Sequence, residues 1–313
     1  MKVLSLFDGM SCGQIALERV GIKVDEYYAS EIKTYGIAVT QHNYPKTIQL
    51  GDITKLEYND GKLDNTEATY DVGVIDLLIG GSPCQNFSAA CIPSKRLGLQ
   101  GEKSSLFYEY LRILREVKPK YFLLENVASM DKKDQDAISE YLGIEPIRIN
   151  SDKLSAQLRD RLYWTNLNVL PIETSISIRL EDILESGYSP RNKALCLLEG
   201  YSRPTKTPYR KMRRHAKSFN TLVFKDKEHH DACMKLYNLN FKNLKAREAD
   251  ILAEQLDLSI FEGVRDLNQV EMERLQTVPE GYTSVVSRNE AASLLGDGWT
   301  VNVIAHIFKN IEQ

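Results

Sequence analysis

The chain has 313 residues, of which 42% are hydrophobic and 27% charged, and its formal net charge is −3. At about 150 residues per domain, this length allows one large domain or two. The composition excludes global disorder, and the charge excludes a uniformly basic, histone-like protein, although a local basic face remains compatible with nucleic-acid binding. Five scattered cysteines do not indicate a disulfide framework. With no apolar run near the ~20 residues of a membrane span and no secretory signal, we expect a cytoplasmic protein without a membrane partner.

The first half of the chain alternates short apolar runs with helical patterns. Such alternation predicts an α/β fold with a mainly parallel sheet and right-handed crossovers. A helix from about Gln14 to Val20, a second helix ending before Pro45 and a third over Leu106 to Val117 separate the strands. The strands are expected at Val3–Phe7, Val24–Ala29, Val74–Ile79, Tyr121–Leu124, Ile144–Ile149 and Leu162–Thr165.

The alternation is lost near Ser189 and returns after about Gly263. A helix is expected around Leu244 to Leu256, and Asn268 with Glu271 forms an N-x-x-E helix start. A last apolar helix is expected over Val301 to Ile311. The pattern indicates a large α/β domain with a small insert, and the C-terminus returns to the large domain.

The insert contains a window rich in basic residues and without any acid. Phosphate binding is one interpretation of this window, and a solvated surface is the other. The chain has no C-x-x-C, and the adjacent His229 and His230 lie in a charged stretch, so no metal site is expected. The basic residues of the window are Arg203, Lys206, Arg210, Lys211, Arg213, Arg214 and Lys217.

A glycine-containing turn, Phe7-Asp8-Gly9-x-x-x-Gly13, follows the first strand and opens a helix. Glycines there let a ligand approach the backbone, and the helix N-terminus offers free N–H donors. A tight turn without a ligand explains the same residues equally well. Glu31 follows the second strand, where doubly wound folds hold a ribose, and Asp52 follows a third short run. Together these residues suggest a nucleoside-containing ligand, although each acid alone could be a solvated loop carboxylate.

Cys84 follows Gly80-Gly81-Ser82-Pro83 at the carboxyl end of an apolar strand. Ligand sites of α/β folds lie at these ends, and a thiolate there could act as a nucleophile. A packed core cysteine is the alternative, but a Gly-Gly-Ser-Pro turn is a poor place to bury a side chain. The stretch from Asn86 to Lys103 is rich in small and polar residues and is typical of a loop that closes over a substrate.

Two further polar groups follow. Glu125 ends the apolar run at Leu123 and Leu124 and should point into the same cleft as Cys84. A second group lies between Gln157 and Arg161. If this segment is extended, Gln157, Arg159 and Arg161 lie on one side, where the arginines could hold an anion or orient a carboxylate. The alternatives are an exposed acid and an ordinary polar strand face.

Taken in order, these motifs resemble the DNA cytosine-5 methyltransferase family over roughly residues 1–166 and 264–313. Two segments, Leu4–Gly9 and the Gly-x-Gly-Trp-Thr-Val ending at 296–301, are most similar to the animal de novo branch. That branch shares Trp299, where most bacterial members have Asn, although a bacterial or phage member is expected. The resemblance rests on Phe7–Gly9, Glu31, Gly51-Asp52, Pro83–Gln85, Glu125–Val127, Gln157–Arg161, residues 265–282 and residues 294–301.

The resemblance implies a Rossmann-like fold that binds S-adenosyl-L-methionine and methylates carbon 5 of cytosine in double-stranded DNA through a covalent cysteine adduct on a flipped base. It implies a catalytic domain over 1–167 and 264–313 and a target-recognition region over 168–263, in an enzyme typical of restriction–modification systems. The expected catalytic residues are Cys84, Glu125, Arg159 and Arg161. Expected at the cofactor are Phe7, Asp8, Gly9, Met10, Ser11, Cys12, Glu31, Ile32, Asp52, Ile53, Pro83, Trp299, Thr300 and Val301, and expected at the DNA are Gln85, Ser88, Arg210, Lys211, Arg213 and Arg214.

Three alternatives remain at this point. A family branch acts on tRNA, but its Cys-Phe-Thr tripeptide is absent, because Cys196 and Cys233 are followed by Leu and Met. A catalytically inactive DNA-binding regulator is a second alternative, opposed by the presence of Cys84, Glu125 and Arg161. An unrelated nucleotide-binding oxidoreductase is the third, opposed by the missing G-x-G-x-x-G. The recognition site and the choice between monomer and homodimer do not follow from the sequence.

Overall fold

The structure is a computed structural model and describes residues 1–88, 93–173, 177–203, 205 and 207–312. Two sequence predictions fall partly outside these residues: the loop over Asn86–Lys103 includes 89–92, and the basic window includes Lys206. Among the described residues, no helix combines the length and the apolar composition needed to cross a membrane.

The chain forms twelve strands and ten helices within the described residues. The strands are β1 Lys2–Leu6, β2 Glu26–Ser30, β3 Ile48–Gln49, β4 Glu57–Asn59, β5 Lys62–Asp64, β6 Thr69–Asp71, β7 Leu77–Gly81, β8 Tyr121–Val127, β9 Ile147–Asn150, β10 Asp160–Thr165, β11 Leu222–Val223 and β12 Arg265–Asp266. The helices are α1 Cys12–Arg19, α2 Thr34–Asn43, α3 Phe107–Val117, α4 Lys132–Leu142, α5 Pro208–Ala216, α6 Lys227–Asn240, α7 Ala246–Ala253, α8 Gln269–Gln276, α9 Arg288–Asp297 and α10 Val301–Phe308.

The chain divides into two compact units. The first comprises Met1–Ser151, Asp160–Glu173 and Gly298–Gln313, and the second comprises Asp152–Arg159 and Thr174–Asp297. Residues 264–297 therefore pack with the second unit, whereas the family resemblance groups them with the catalytic part. This division describes packing alone, and a target-recognition role for 168–263 stays a prediction.

The first unit is built on a seven-stranded sheet in the order β3-β2-β1-β7-β8-β10-β9. Its first five strands are parallel, and β10 is antiparallel to both β8 and β9. The prediction of a mainly parallel α/β sheet is confirmed. The strand order reverses between β1 and β7, and ligands of open α/β sheets bind outside the carboxyl ends of strands at such a point.

Burial explains why these runs form the sheet. Val3, Leu4 and Leu6 of β1 have no exposed surface, as expected for a central strand covered on both faces. Helix α3 buries Phe107 and Tyr110 in the core of the sheet, and its C-cap residue, Lys118, adopts a left-handed conformation before Pro119.

Some strands and helices of the structure were not predicted from the sequence. Strands β4, β5 and β6 form a small antiparallel sheet in which Leu63 is buried between exposed neighbours. Three-residue strands with a single buried apolar residue produce no detectable apolar run. Helix α4 and helix α6 are likewise absent from the expectations, since their polar faces dominate the local composition.

The second unit has a core of its own. Tyr209 and Met212 of α5 pack in one cluster with Tyr237 of α6 and Ala249 of α7. Helix α7 confirms the helix expected near Leu244 to Leu256. The capping box at α8 is also confirmed, with Asn268 and Glu271 exchanging hydrogen bonds of 2.9 Å between side chain and backbone in both directions.

Candidate active site

The turn after β1 has an uncommon backbone. Phe7, Gly9 and Ser11 have φ of 57°, 66° and 59°, which is the left-handed region that only glycine adopts freely. The turn is held by Asp8, whose N–H donates to the Ser30 carbonyl at 3.1 Å. The Asp8 carboxylate accepts hydrogen bonds from the Ser11 hydroxyl and from the Tyr27 hydroxyl, the latter at 2.8 Å. Burial raises the pKa of Asp8, and the hydroxyl donors oppose this effect.

Glu31 connects this turn to the end of β2. Its carboxylate accepts the backbone N–H of Gly9 at 2.7 Å, of Ile32 at 2.7 Å and of Lys33 at 2.8 Å. The Glu31 side chain is therefore fixed beside the turn, and its contact with a ribose stays a prediction. These contacts also give it a structural role.

The residues that follow the turn point inward. Met10, Ser11 and Cys12 are all buried. Gly13 allows α1 to pack closely on the sheet, because a Cβ at this position would overlap Ile79 Cδ1 and lie 2.9 Å from the Tyr27 hydroxyl.

Asp52 lies three residues after β3. Its carboxylate accepts the backbone N–H of Thr54 at 3.0 Å and so caps a short 3₁₀ turn in which Ile53 is buried. Gly51 has φ of 74°, and its carbonyl accepts a hydrogen bond of 2.7 Å from the Ser30 hydroxyl. The ends of β2 and β3 are thereby joined, with Glu31 and Asp52 on neighbouring strand ends.

Cys84 lies in the turn after β7. The Asn126 side-chain amide donates to the carbonyl and the hydroxyl of Ser82, at 3.2 and 3.1 Å, and ties this turn to β8. The Cys84 carbonyl accepts the N–H groups of Phe87 and Ser88, both at 2.9 Å. Cys84 itself is half-buried, and Phe87 is anchored in the core. The sequence did not assign Asn126 a role, although it lies beside Glu125.

Glu125 lies on β8 in register with Gly81 of β7. It is 7% exposed, and its Oε1 lies 2.8 Å from Nε of Arg161 on the adjacent strand β10. Its Oε2 accepts a hydrogen bond of 3.2 Å from the Trp299 indole. The structure thus brings together two predicted catalytic residues and one predicted cofactor residue. The contact between Glu125 and Trp299 was not expected from the sequence.

Trp299 precedes the last helix. Thr300 is the N-cap of α10 and Val301 is its first residue, and both are buried. Helix α10 packs against α1, so the chain's last helix lies beside the helix that follows the first turn. The expectation of a final apolar helix is confirmed with a slightly earlier end, at Phe308.

The first part of the chain is similar to a known family. Residues 1–142 match the family model described as C-5 cytosine-specific DNA methylase. The match includes the turn after β1, Glu31, Asp52, Cys84 and Glu125.

Curated proteins similar to this chain occur in bacteria and phages. The type II methyltransferase M.NgoBV of Neisseria gonorrhoeae is 33% identical over 213 residues, which cover 60% of this chain and 47% of the relative. The orphan methyltransferase M.SPRI of Bacillus phage SPR is 30% identical over 202 residues, with 60% and 43% coverage. The chain spans about half the length of these curated relatives. The type II methyltransferase M1.ScrFI of Lactococcus lactis subsp. cremoris matches 97% of this chain at 27% identity, and 76% of its own length.

Solved structures share the fold of the whole chain. A Spodoptera frugiperda DNMT2 mutant superposes with a TM-score of 0.66 at 18% identity, covering 98% of each chain. The Entamoeba histolytica methyltransferase EhMeth has a TM-score of 0.67 at 14% identity, covering 100% of this chain and 99% of its own. At these identities the likeness shows the fold alone.

The segment before β10 lies beyond the residues matched by the methylase model. Strand β10 begins at Asp160 and contains Arg161, whereas Gln157 and Arg159 precede it. Long-range hydrogen bonds engage these two earlier side chains. The Gln157 amide donates to the Leu275 carbonyl at 2.9 Å, and Nη1 of the buried Arg159 donates to the Gly296 carbonyl at 3.2 Å. Arg159 therefore packs within the second unit, whereas Arg161 pairs with Glu125 in the first.

The basic window also lies beyond the methylase match, and its described part is mostly helix α5. Arg210 forms a bidentate ion pair with Asp250, and Lys211 lies 3.1 Å from Asp266. These two cations are largely neutralised within the second unit. Arg213 donates to the Leu244 carbonyl at 3.5 Å, and Arg214 donates to the Thr205 hydroxyl at 3.2 Å. Neither Arg213 nor Arg214 has an ion-pair partner within the part of the chain that the structure describes, so their positive charges remain uncompensated there.

Proposed function

We propose that this protein transfers a methyl group from S-adenosyl-L-methionine to carbon 5 of cytosine in double-stranded DNA, at a short recognition site of a restriction–modification type. The observation that carries the proposal is the buried Glu125–Arg161 pair at the carboxyl end of β8, beside the turn that holds Cys84. The methylase match and the relatives named type II methyltransferases support it. The chemistry of the pair and of the thiol fits the reaction.

The residues at the switch point fit the cofactor. A Cβ at Gly9 or at Gly51 would meet no atom within 4 Å, so space is open in front of both turns. Glu31 and Asp52 offer carboxylates beside this space, for the ribose and the adenine. S-Adenosyl-L-methionine supplies an electrophilic methyl group when bound. The residues proposed to hold it are Phe7 to Cys12, Glu31, Ile32, Asp52, Ile53, Pro83 and Trp299 to Val301.

Cys84 would supply the nucleophile that cytosine lacks. Its thiolate would add to carbon 6, and the electrons of the 5,6 double bond would make carbon 5 nucleophilic toward the methyl group. The methyl–sulfur bond would break as the new carbon–carbon bond forms, and S-adenosyl-L-homocysteine would be the leaving group. After transfer, a base takes the proton from carbon 5, the double bond re-forms and the thiolate leaves. Glu125 would contact ring N3 and the exocyclic amine and so stabilise the adduct protonated at N3, and Arg161 would bind the base carbonyl and orient the site.

The base must leave the helical stack to reach Cys84, which costs a few kcal/mol. Gln85 and Ser88 would contact the DNA beside the flipped base. Arg213 and Arg214 would contact phosphates from the target-recognition region, with Arg210 and Lys211 contributing less because carboxylates neutralise them. Arg159 remains a predicted catalytic residue, although its guanidinium is engaged within the second unit.

The test is transfer of radiolabel from S-adenosyl-L-methionine to DNA, with a tRNA arm and a no-acceptor arm. Label should enter DNA, and bisulfite sequencing should place it at one short site. Cys84→Ser should abolish transfer while leaving the unfolding midpoint and cofactor affinity unchanged, because an alkoxide forms far less readily than a thiolate near neutral pH. DNA containing 5-fluorocytosine should trap a covalent adduct only when Cys84 is present. Label in tRNA alone, or a Cys84→Ser turnover above about a tenth of wild type, would overturn the proposal.

A further inference from the structure

Both oxygens of the Glu125 carboxylate are occupied by donors from other parts of the chain. Arg161 of β10 lies 2.8 Å from Oε1 and supplies charge. Trp299, which is 174 residues away in sequence, donates its indole N–H to Oε2 at 3.2 Å. The Arg161 and Glu125 side chains are 10% and 9% exposed, so water competes little with these contacts.

Gly81 of β7 leaves room for the hydrogen bond between Trp299 and Glu125. A Cβ at Gly81 would lie 3.0 Å from Glu125 Oε2 and 3.0 Å from Trp299 Nε1, which is tighter than ordinary van der Waals contact. Gly81 is not among the residues with a left-handed backbone, so no backbone conformation demands a glycine here. The missing side chain is therefore explained by the approach of Glu125 and Trp299 to the end of β7.

We propose that Trp299 is a positioning residue that orients Glu125, a role beyond cofactor contact. The terminal torsion of a glutamate is broad, so a carboxylate held by Arg161 alone can rotate about its last bond. A second donor on the other oxygen fixes the plane of the carboxylate. This inference rests on the proposed function, in which Glu125 contacts the target base and must present its oxygens in one orientation.

The chain offers a matched control. It contains two tryptophans, and the other, Trp164, is fully buried and donates its indole N–H to the Ser139 hydroxyl at 3.0 Å. Trp299→Phe and Trp164→Phe each remove one indole hydrogen bond and keep an aromatic ring. We expect Trp299→Phe to lower kcat about tenfold and to leave KM for DNA within about twofold, since the lost bond is to a charged group. Trp164→Phe should keep the wild-type kcat.

A spectroscopic readout tests the contact without any turnover. The ¹⁵N–¹H spectrum of the whole protein should show two indole signals, assigned by the two Phe variants. Glu125→Gln should move the Trp299 signal and leave the Trp164 signal in place. Gly81→Ala should move the Trp299 signal as well and lower kcat in the same direction as Trp299→Phe, which provides a second variant if Trp299→Phe folds poorly.

Three results would overturn the inference: an unchanged kcat in Trp299→Phe, a raised KM for S-adenosyl-L-methionine with kcat retained, or a Trp299 indole signal that ignores Glu125→Gln. The second result would make Trp299 a cofactor contact only. If the wild-type protein transfers no methyl group, the proposed function fails, and the indole signals still decide whether Trp299 holds Glu125.

Discussion

The buried pair between Arg161 and Glu125 can be tested through stability alone. Arg161→Met keeps most of the side-chain length and removes the guanidinium. It deletes the 2.8 Å contact with Glu125 and the 2.9 Å hydrogen bond from Nη1 to the Asp160 carbonyl. A hydrogen bond to a charged group contributes about 1.5–3 kcal/mol, and a buried charge left without its partner adds to the loss. We therefore expect the free energy of unfolding to fall by about 3 kcal/mol.

The same reasoning predicts how the substitutions Arg161→Met and Glu125→Gln combine in their effect on the free energy of unfolding. Glu125→Gln alone should cost about 2 kcal/mol, because its single amide oxygen can accept from only one of Arg161 and Trp299 and its NH₂ group faces the other donor. In the Arg161→Met background, Glu125→Gln removes the unpaired charge, so the double variant should be more stable than Arg161→Met itself. The double-mutant cycle should give a coupling energy of about 1–3 kcal/mol.

The assay is urea denaturation near pH 7, followed by circular dichroism. The control is Arg148→Met, which breaks a pair between Arg148 and Asp160 in the same sheet; Arg148 is 68% exposed. This control should change the unfolding free energy far less, because solvent screens the pair. A loss in Arg161→Met no larger than in Arg148→Met, or a double variant no more stable than Arg161→Met, would refute the argument.

Three further predictions follow from the site and the second unit. Glu31→Ala should weaken S-adenosyl-L-methionine binding about tenfold or more by calorimetry, through loss of a charged hydrogen bond of about 1.5–3 kcal/mol, and equal affinity would remove Glu31 from the site. Replacing Arg213 and Arg214 by Ala should reduce the slope of log DNA affinity against log salt concentration by up to about 2, more than the change in the ion-paired Arg210→Gln. If one of the two arginines reads a guanine edge, the preference for the recognition site should instead relax by about 1–3 kcal/mol. An unchanged slope and an unchanged specificity would make the window a solvated surface. Burial lowers the pKa of His215 to about 4, and the charges of Arg191 and His230 add to the shift. The unfolded chain therefore binds a proton that the folded chain does not, and the free energy of unfolding should fall by roughly 3 kcal/mol as the pH drops from about 6.5 to 4. If the urea midpoint of His215→Gln falls as much over this pH range as that of the wild type, the prediction is wrong.

The sequence alone determined the elements that local patterning records. The mostly apolar run from Val3 to Leu6 predicts a buried strand. Asn268 and Glu271 predict the start of a helix, because each side chain accepts a hydrogen bond from the backbone N–H of the other. Glu31, Asp52, Cys84 and Glu125 were found because each comes within a few residues of the end of an apolar run. In a parallel sheet these ends share one edge, so local signals suffice to place the residues on it.

The direction of β10 and the partners of the two arginines were decided only by the tertiary structure. Arg159 and Arg161 are two residues apart, yet one donates to the Leu197 and Gly296 carbonyls of the second unit and the other pairs with Glu125 in the first. Alternation along a strand assigns side chains to faces, but it contains no information on where the strand begins. The contacts of Gln157 with Leu275, more than a hundred residues later, end the extended run before Asp160.

The contact between Trp299 and Glu125 was also decided by the tertiary structure and not by local sequence patterns. Each residue was singled out from the sequence for a different role, and nothing in their local patterns links them across 174 residues. They meet because β7 and β8 are adjacent in the sheet and the chain returns to the first unit at Gly298, just before α10. Local physics determines which side chains stand at a strand end, whereas strand order and chain return determine which of them touch.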